Sequence, residues 1–159
     1  MPTDAPAGPA GAAEPDPPAP PTPPIPVAFV DASALVALVD RADPAHAVAV
    51  AAYRELVADG YKLFTTDLGL AEAHDLIRLG LGPVVAARWL AACRLAVYHV
   101  TEADLADARR RLAPVAEADG EPGRDVDLSL TDALSLVVMD RFAVSAAFAV
   151  DPRFLARIS

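Results

Sequence analysis

The chain has 159 residues, one cysteine and a formal net charge of −9. This length suits one domain with a proper core and is too short for two substantial ones. A lone Cys93 excludes an internal disulfide, and no uninterrupted apolar run reaches the roughly 18 to 20 residues that would cross a bilayer. The N-terminus lacks a basic start followed by an apolar stretch, so we expect a cytoplasmic protein without membrane contact.

Residues 1–26 differ in composition from the rest of the chain. They hold eleven of the sixteen prolines and three acids, Asp4, Glu14 and Asp16, with no Lys or Arg. Such a segment has little with which to build a core, so we predict a disordered tail over 1–26 and one domain over 27–159. The tail carries −3 of the charge and leaves −6 for the domain.

From Val27 onward, segments with the pattern of strands alternate with segments of helical pattern. Strands are predicted over 27–30, 61–66, 95–100 and 147–150. Helices are predicted over 33–39, 43–59, 68–79 with Gly80 ending it, 83–92, 101–111 and 133–142. Strands separated by helices imply βαβ units, and therefore an α/β fold with a mostly parallel central sheet between two helical layers.

Four acids fall at the ends of these elements. Asp31 follows the first strand directly and Asp151 follows the last, while Glu72 and Asp132 lie in the first part of helices. Sites in parallel sheets form beyond the carboxyl ends of the strands, where connecting loops meet. We therefore expect the four carboxylates to converge at one edge of the sheet.

Converging carboxylates repel one another unless a cation lies between them. Oxygen ligands select hard ions such as Mg²⁺ or Mn²⁺. A zinc site is disfavoured because the three histidines are scattered along the chain and Cys93 is alone. The pattern therefore predicts a Mg²⁺ or Mn²⁺ site of the kind that hydrolyses phosphodiesters.

Each of the four acids also has a purely structural interpretation. Asp31 is placed to cap the helix that starts near Ser33, and Asp132 to complete a capping box with Ser129. Asp151 precedes a proline and suits a turn, and Glu72 suits a solvated helix face. Only the joint placement of the four favours a site.

Three segments resemble the motifs of the PIN-domain family, and of its VapC-type toxins in particular. PVAFVDASALVALVDRADPAHAVAV is similar to the opening of those toxins, with an apolar strand, an Asp and a Leu-rich helix. TTDLGLAEAHDLI resembles the second motif, and DVDLSLTDALSLVVMDRFAVSAAFAVDPRF resembles the third and fourth. The resemblance covers residues 26–155 and implies a three-layer PIN-like fold.

The resemblance implies that Asp31, Glu72, Asp132 and Asp151 form the acidic site. It favours Asp31 and Asp132 as the residues that bind the metal directly. Ser129 and Thr131 match hydroxyl positions of the family, and Asp127 is a further acid for an outer role. The implied activity is a Mg²⁺- or Mn²⁺-dependent endoribonuclease that is inhibited by a VapB-like antitoxin and forms a homodimer. The chain departs from the family in its proline-rich tail, its Gly/Pro loop over 119–124 and its acidic balance.

Three other classes of protein share part of this pattern. A haloacid-dehalogenase-type phosphohydrolase needs a second Asp two positions after the first, where this chain has Ser33. A receiver domain needs a late lysine, whereas Lys62 is the only lysine here. The remaining alternative is a non-catalytic PIN-like module that binds RNA or a protein partner, and the full set of four carboxylates weighs against it.

Overall fold

The computed structural model describes residues 25–113 and 128–158. The strands in these ranges are β1 (Val27–Val30), β2 (Lys62–Thr66), β3 (Ala96–Tyr98) and β4 (Ala146–Phe148). The helices are α1 (Ala32–Val39), α2 (His46–Ala58), α3 (Asp67–Leu81), α4 (Pro83–Ala92), α5 (Glu102–Leu112), α6 (Leu130–Arg141) and α7 (Pro152–Ile158).

The four strands form one sheet in the order β3-β2-β1-β4, and every pair is parallel. The central strand β1 pairs Phe29 with Phe64 of β2 on one side and with Ala147 of β4 on the other. Since the strands are parallel, all four end at the same edge of the sheet, called here the carboxyl edge. The predicted α/β class with a parallel sheet is confirmed.

Helices cover both faces because successive strand residues point to opposite sides. On one face, Val30 and Phe148 are buried in a cluster with Leu35 of α1 and Ala49 of α2. On the other face, Phe29 lies in a second cluster together with residues of α6 and α7, among them Leu136, Met139 and Phe154. The arrangement is helix, sheet, helix, as the sequence predicts.

Helix α6 is the most deeply buried helix of the described residues. Every residue from Ala133 to Met139 is buried, which confirms the prediction of an apolar, enclosed helix. Its first turn carries a complete capping box, in which Ser129 and Asp132 each bond to the backbone of the other. The burial and the cap together fix where Asp132 stands.

Several predicted boundaries are wrong. Helix α3 does not end at Gly80 but runs to Leu81, and Gly82 at φ +91° makes the turn into α4 because that backbone conformation favours glycine. Strand β4 ends at Phe148, so Asp151 follows it after two further residues. Helix α7, which begins at Pro152, was not predicted.

Residues 1–24 of the tail predicted over 1–26, the loop over 119–124 and Asp127 lie outside the described residues. Within the described ranges, none of the helices combines the length and apolar character that a membrane crossing requires.

Candidate active site

Asp31 stands at the end of the central strand and caps helix α1. Its Oδ2 accepts hydrogen bonds from the Ser33 backbone N–H at 2.9 Å and from the Ser33 hydroxyl at 2.5 Å. Burial raises the pKa of Asp31 above its usual range, against the two bonds from Ser33, and the charge of Asp132 raises it further. Asp31 is therefore a buried residue, only 5% exposed, that lies near the negative charge of Asp132.

Glu72 projects toward the same place from helix α3. Burial raises the pKa of this half-buried carboxyl, and the charges of Asp132 and Asp31 raise it further. A hydrogen bond with the Thr131 side chain partly offsets these effects. Glu72 therefore interacts with both aspartates, although it lies 41 positions after one and 60 before the other in sequence.

Asp132 connects the group from the second face of the sheet. It lies in the first turn of α6, where its backbone N–H donates to Ser129 Oγ at 3.0 Å and its Oδ2 accepts from the Ser129 N–H at 3.3 Å. The structural interpretations of Asp31 and Asp132 as caps are both realised. Although both aspartates are caps, the charge of Asp132 raises the pKa of Asp31 and of Glu72, and the charge of Asp31 raises the pKa of Glu72.

Asp151 lies at the same edge but is turned toward its own helix. Its Oδ1 accepts from the Arg153 backbone N–H at 2.8 Å, and its Oδ2 lies 3.0 Å from Arg153 Nη2. The hydrogen bonds and charge of Arg153 lower the pKa of Asp151 against the opposing effect of burial. Asp151 is not among the groups that shift the pKa of Asp31 or Glu72. The structure thus brings three of the four acids together and pairs the fourth with an arginine.

Ser33 is the residue of this site that sequence reasoning missed. Its hydroxyl donates to Asp31 and accepts from the backbone N–H groups of Val150 at 3.1 Å and Asp151 at 3.2 Å. One side chain therefore ties the end of β1 to the segment after β4. A serine two positions after the strand-end Asp was the available signal, but its partners lie 117 and 118 residues away.

Two threonines position helix α3, and with it Glu72. Thr66 caps the helix by accepting from the Gly69 N–H at 3.0 Å, and both Thr65 and Thr66 are fully buried. A Cβ on Gly69 would stand 2.9 Å from Thr65 Oγ1 and 3.2 Å from Thr66 Oγ1, so only glycine lets the helix approach this closely. The helix start is therefore fixed against the end of β2.

The outer positions predicted from the resemblance are only partly described. Ser129 is the cap of α6, and Thr131 interacts with Glu72. In the described part of the chain, no group of three or more His, Cys, Asp or Glu side chains stands in an arrangement that could hold a metal ion. Ser33, Ser129 and Arg153 each hold the carboxylate of one aspartate in a local hydrogen bond.

An all-parallel four-stranded sheet between helical layers, with acids gathered at its carboxyl edge, is a PIN-like architecture. Among solved structures, the chain is similar to VapC20 of Mycobacterium tuberculosis, described as a sarcin–ricin loop cleaving toxin. The TM-score is 0.64 and the identity 27%, and the match covers 82% of this chain and 94% of that one. Neither a family model nor a curated protein sequence matches the chain. The resemblance to PIN-domain toxin ribonucleases is confirmed by the structural match.

Proposed function

We propose that the chain is a Mg²⁺- or Mn²⁺-dependent endoribonuclease and the toxin of a toxin–antitoxin pair. One observation carries the proposal: Asp31, Glu72 and Asp132 converge at the carboxyl edge, and the pKa values of Asp31 and Glu72 are raised by burial and by the neighbouring acids. The likeness to the VapC20 toxin supports the ribonuclease class.

The chemistry of the side chains fits a hard divalent cation. Three carboxylates in a partly buried group repel one another, and a positive charge between them would relieve that repulsion. Both hydrogen bonds from Ser33 use Oδ2 of Asp31, and the capping bond from Ser129 uses Oδ2 of Asp132. Oδ1 of each aspartate takes no part in these bonds from the two serines.

When bound, a divalent ion lowers the pKa of a coordinated water and offsets charge on a phosphodiester during in-line attack. The chain's own residues supply the rest. We propose that Asp31 and Asp132 are direct ligands and that Glu72, bonded to Thr131, orients the attacking water. Asp151 is the outermost member of the proposed set and keeps its bond to Arg153, and Ser33 holds the spacing between Asp31 and Asp151.

The proposed partners are an RNA substrate, a VapB-like antitoxin and a second copy of this chain, all in the cytoplasm. A dimer is supported by apolar side chains that the α3–α4 helical pair leaves exposed. The exposed fractions are 44% for Leu76, 73% for Leu79 and 61% for Val84. Clustered exposed apolar side chains of this kind favour a protein interface.

The direct test is cleavage of RNA by the purified chain, with a sarcin–ricin loop hairpin among the substrates. We expect cleavage with Mg²⁺ or Mn²⁺, none in excess EDTA, and at least about a 100-fold loss in Asp31→Asn, since even outer partners of a metal ligand contribute that much. Asp40→Asn, at the other end of α1, is the matched control and should cleave normally. Undiminished cleavage by Asp31→Asn or in EDTA contradicts the proposal.

The toxin role has a separate test in cells. Expression should arrest growth, and co-expression of the gene immediately upstream should restore it if that gene encodes the antitoxin. Growth arrest by Asp31→Asn as strong as that of the wild type would contradict a toxin that acts by cleavage.

A second candidate is a PIN-like module that binds RNA or a protein partner without cutting. The pairing of Asp151 with Arg153 favours it, since one of the four acids is already neutralised by a side chain. This candidate predicts RNA binding that is equal with and without divalent ions and no cleavage under any condition.

A further inference from the structure

An arginine and a histidine stand at the carboxyl edge, and each is held by an aspartate. Arg153 follows β4, and its guanidinium contacts Asp151 through Nη2 at 3.0 Å and Nε at 3.4 Å. The Arg153 side chain is 82% exposed whereas Asp151 is 29% exposed. The aspartate thus anchors the guanidinium while most of it faces solvent.

His99 stands at the opposite end of the same edge. It follows β3, the last strand on that side, and its Nδ1 lies 3.4 Å from Oδ2 of Asp67. Asp67 is itself fixed, because its Oδ1 accepts from the backbone N–H groups of Leu68 at 3.0 Å and Val100 at 3.2 Å. His99 is 83% exposed, so the ring is oriented from one side and open on the other.

The strand order sets the spacing between these groups. From β4 through β1 and β2 to β3 there are three inter-strand steps, or about 14 Å at roughly 4.8 Å each. Asp31 lies between the ends, after β1, and Glu72 and Asp132 reach the same region from the flanking helices. The edge therefore carries Arg153, a group of acids and His99 in that order.

We propose that the phosphate backbone of the RNA lies along this edge, across the ends of the strands. Arg153 contacts a phosphate on one side of the acidic group and His99 contacts one on the other. This inference rests on the proposed function, because it takes the acidic group as the place of cleavage. A guanidinium offers a planar pair of donors to phosphate oxygens, and a protonated imidazole donates through Nε2 while Nδ1 donates to Asp67.

Distance from the acidic group favours this path over the arginine-rich surface of α5 and α6. There, Arg110 and Arg141 lie against Asp107, and Arg111 against Asp140. Arg141 also lies nine residues beyond Asp132 on α6, about 14 Å along the helix axis. The net charge of −9 repels a polyanion in general, so groups that donate to phosphate are most useful to cleavage where they stand beside the acidic group.

The test measures binding apart from cleavage. A fluorescently labelled, mixed-sequence single-stranded RNA is titrated with the full chain in EDTA at several salt concentrations. Arg153→Gln and His99→Ala should each weaken binding about 2- to 5-fold, the size of one exposed ion pair. Each should also reduce the slope of log affinity against log salt by about 0.7, the value for one lost phosphate contact to a single strand.

Two further variants separate a phosphate contact from a structural role. Arg153→Lys keeps the charge and should retain the slope that Arg153→Gln loses. Arg94→Ala removes an exposed arginine just before β3, at the opposite edge of the sheet, and should leave affinity and slope unchanged. Thermal melting of each variant checks that the fold is intact.

The outcomes distinguish this inference from the proposed function. Wild-type slope and affinity in either Arg153→Gln or His99→Ala would overturn the path along the edge, as would an equal loss in Arg94→Ala or no RNA binding at all. Binding that depends on both residues in a chain that never cleaves RNA would support the path and contradict the ribonuclease. Cleavage of RNA, with no effect of either variant on binding, would support the ribonuclease and contradict the path along the edge.

Discussion

Two regions of the molecule place a carboxylate in the same capping motif with opposite electrostatic results. Asp104 in α5 and Asp132 in α6 both occupy the third position of a capping box, with Thr101 and Ser129 as the caps. Around Asp104, the opposing effect of burial is outweighed by bonds from Thr101 and Tyr98 and by the charge of Arg141, so its pKa is lowered. Around Asp132, the neighbours are two more acids whose pKa values are raised.

The difference shows what a capping motif decides and what it leaves open. The cap fixes the backbone and one carboxylate oxygen in both helices. The remaining interactions come from elsewhere in the fold. Asp104 has Arg141 at 3.0 Å from its Oδ1, whereas Asp132 faces the carboxylates of Asp31 and Glu72. A buried carboxylate with a cationic partner stabilises the fold, whereas one facing other acids points to a site for a bound cation.

The largest effect on stability should come from the region around Asp104, where Arg141 balances the carboxylate. Asp104→Ala should lower the free energy of unfolding by about 3 kcal/mol, because it removes the buried partner of the Tyr98 hydroxyl and one of the two carboxylates that pair with Arg141. Urea denaturation followed by circular dichroism measures this. Asp107→Ala, on the same helix with a partly exposed carboxylate, is the control and should cost less than about 1 kcal/mol. Equal losses in the two variants would contradict the contrast between the regions.

A divalent cation should stabilise only the acidic region. At about 100 times its dissociation constant, Mg²⁺ or Mn²⁺ should add about 2.7 kcal/mol to the free energy of unfolding. The thermal midpoint measures this shift, which Asp31→Asn and Asp132→Asn should both reduce strongly. Asp104→Asn should retain it, since that carboxylate already has its partners. A shift of equal size in all variants would indicate general salt effects.

The two regions should also respond oppositely to pH in EDTA. The lowered pKa of Asp104 contributes stability that is present above its usual value of 3.8 and is lost as pH falls through the folded-state pKa. The raised pKa of Asp31 makes its ionisation a cost that is absent below 3.8, grows as pH rises from 3.8 to the folded-state pKa, and stays at its full value above it. Asp31→Asn should therefore gain stability relative to wild type as pH rises above 3.8. A difference that shrinks as pH rises would contradict the assignment.

The smallest effect concerns the contact that positions Glu72. Gly69→Ala should destabilise the fold by about 1 kcal/mol, because the new Cβ meets two stiff threonines and this outweighs the gain of about 1 kcal/mol in helix propensity. Gly80→Ala in the same helix meets nothing within 4 Å and should be neutral or stabilising. Denaturant midpoints of the two variants give the comparison, and a stabilised Gly69→Ala would show that the threonines can move.

Local signals gave most of the fold. The apolar run ending at Asp31 and the capping residues Thr101 and Ser129 located strands and helix starts, because these interactions span only a few residues. Gly80 was misread as a helix end because composition does not reveal which of two nearby glycines takes a positive φ. The end of β4 was missed because Ala149 and Val150 continue the apolar pattern beyond the last ladder pair.

The site was predictable as a set of residues but not as a set of contacts. Strand-end position and family motifs picked out the acids, and three of them do converge. The pairing of Asp151 with Arg153 and the bonds from Ser33 depend on side-chain directions and on the docking of β4, which no local pattern encodes. The compensation of Asp104 by Arg141 was missed for the same reason, since the two lie 37 positions apart.

The hydrogen bonds of the Ser33 hydroxyl can form only late in the synthesis of the domain. It joins the end of β1, made early, to the backbone of Val150 and Asp151, which the ribosome adds 117 and 118 residues later. A domain made from its N-terminus cannot complete that contact until its last strand has emerged and docked beside the first. We therefore expect the nascent domain to lack its finished acidic edge until Val150 and Asp151 have been made and have docked beside β1.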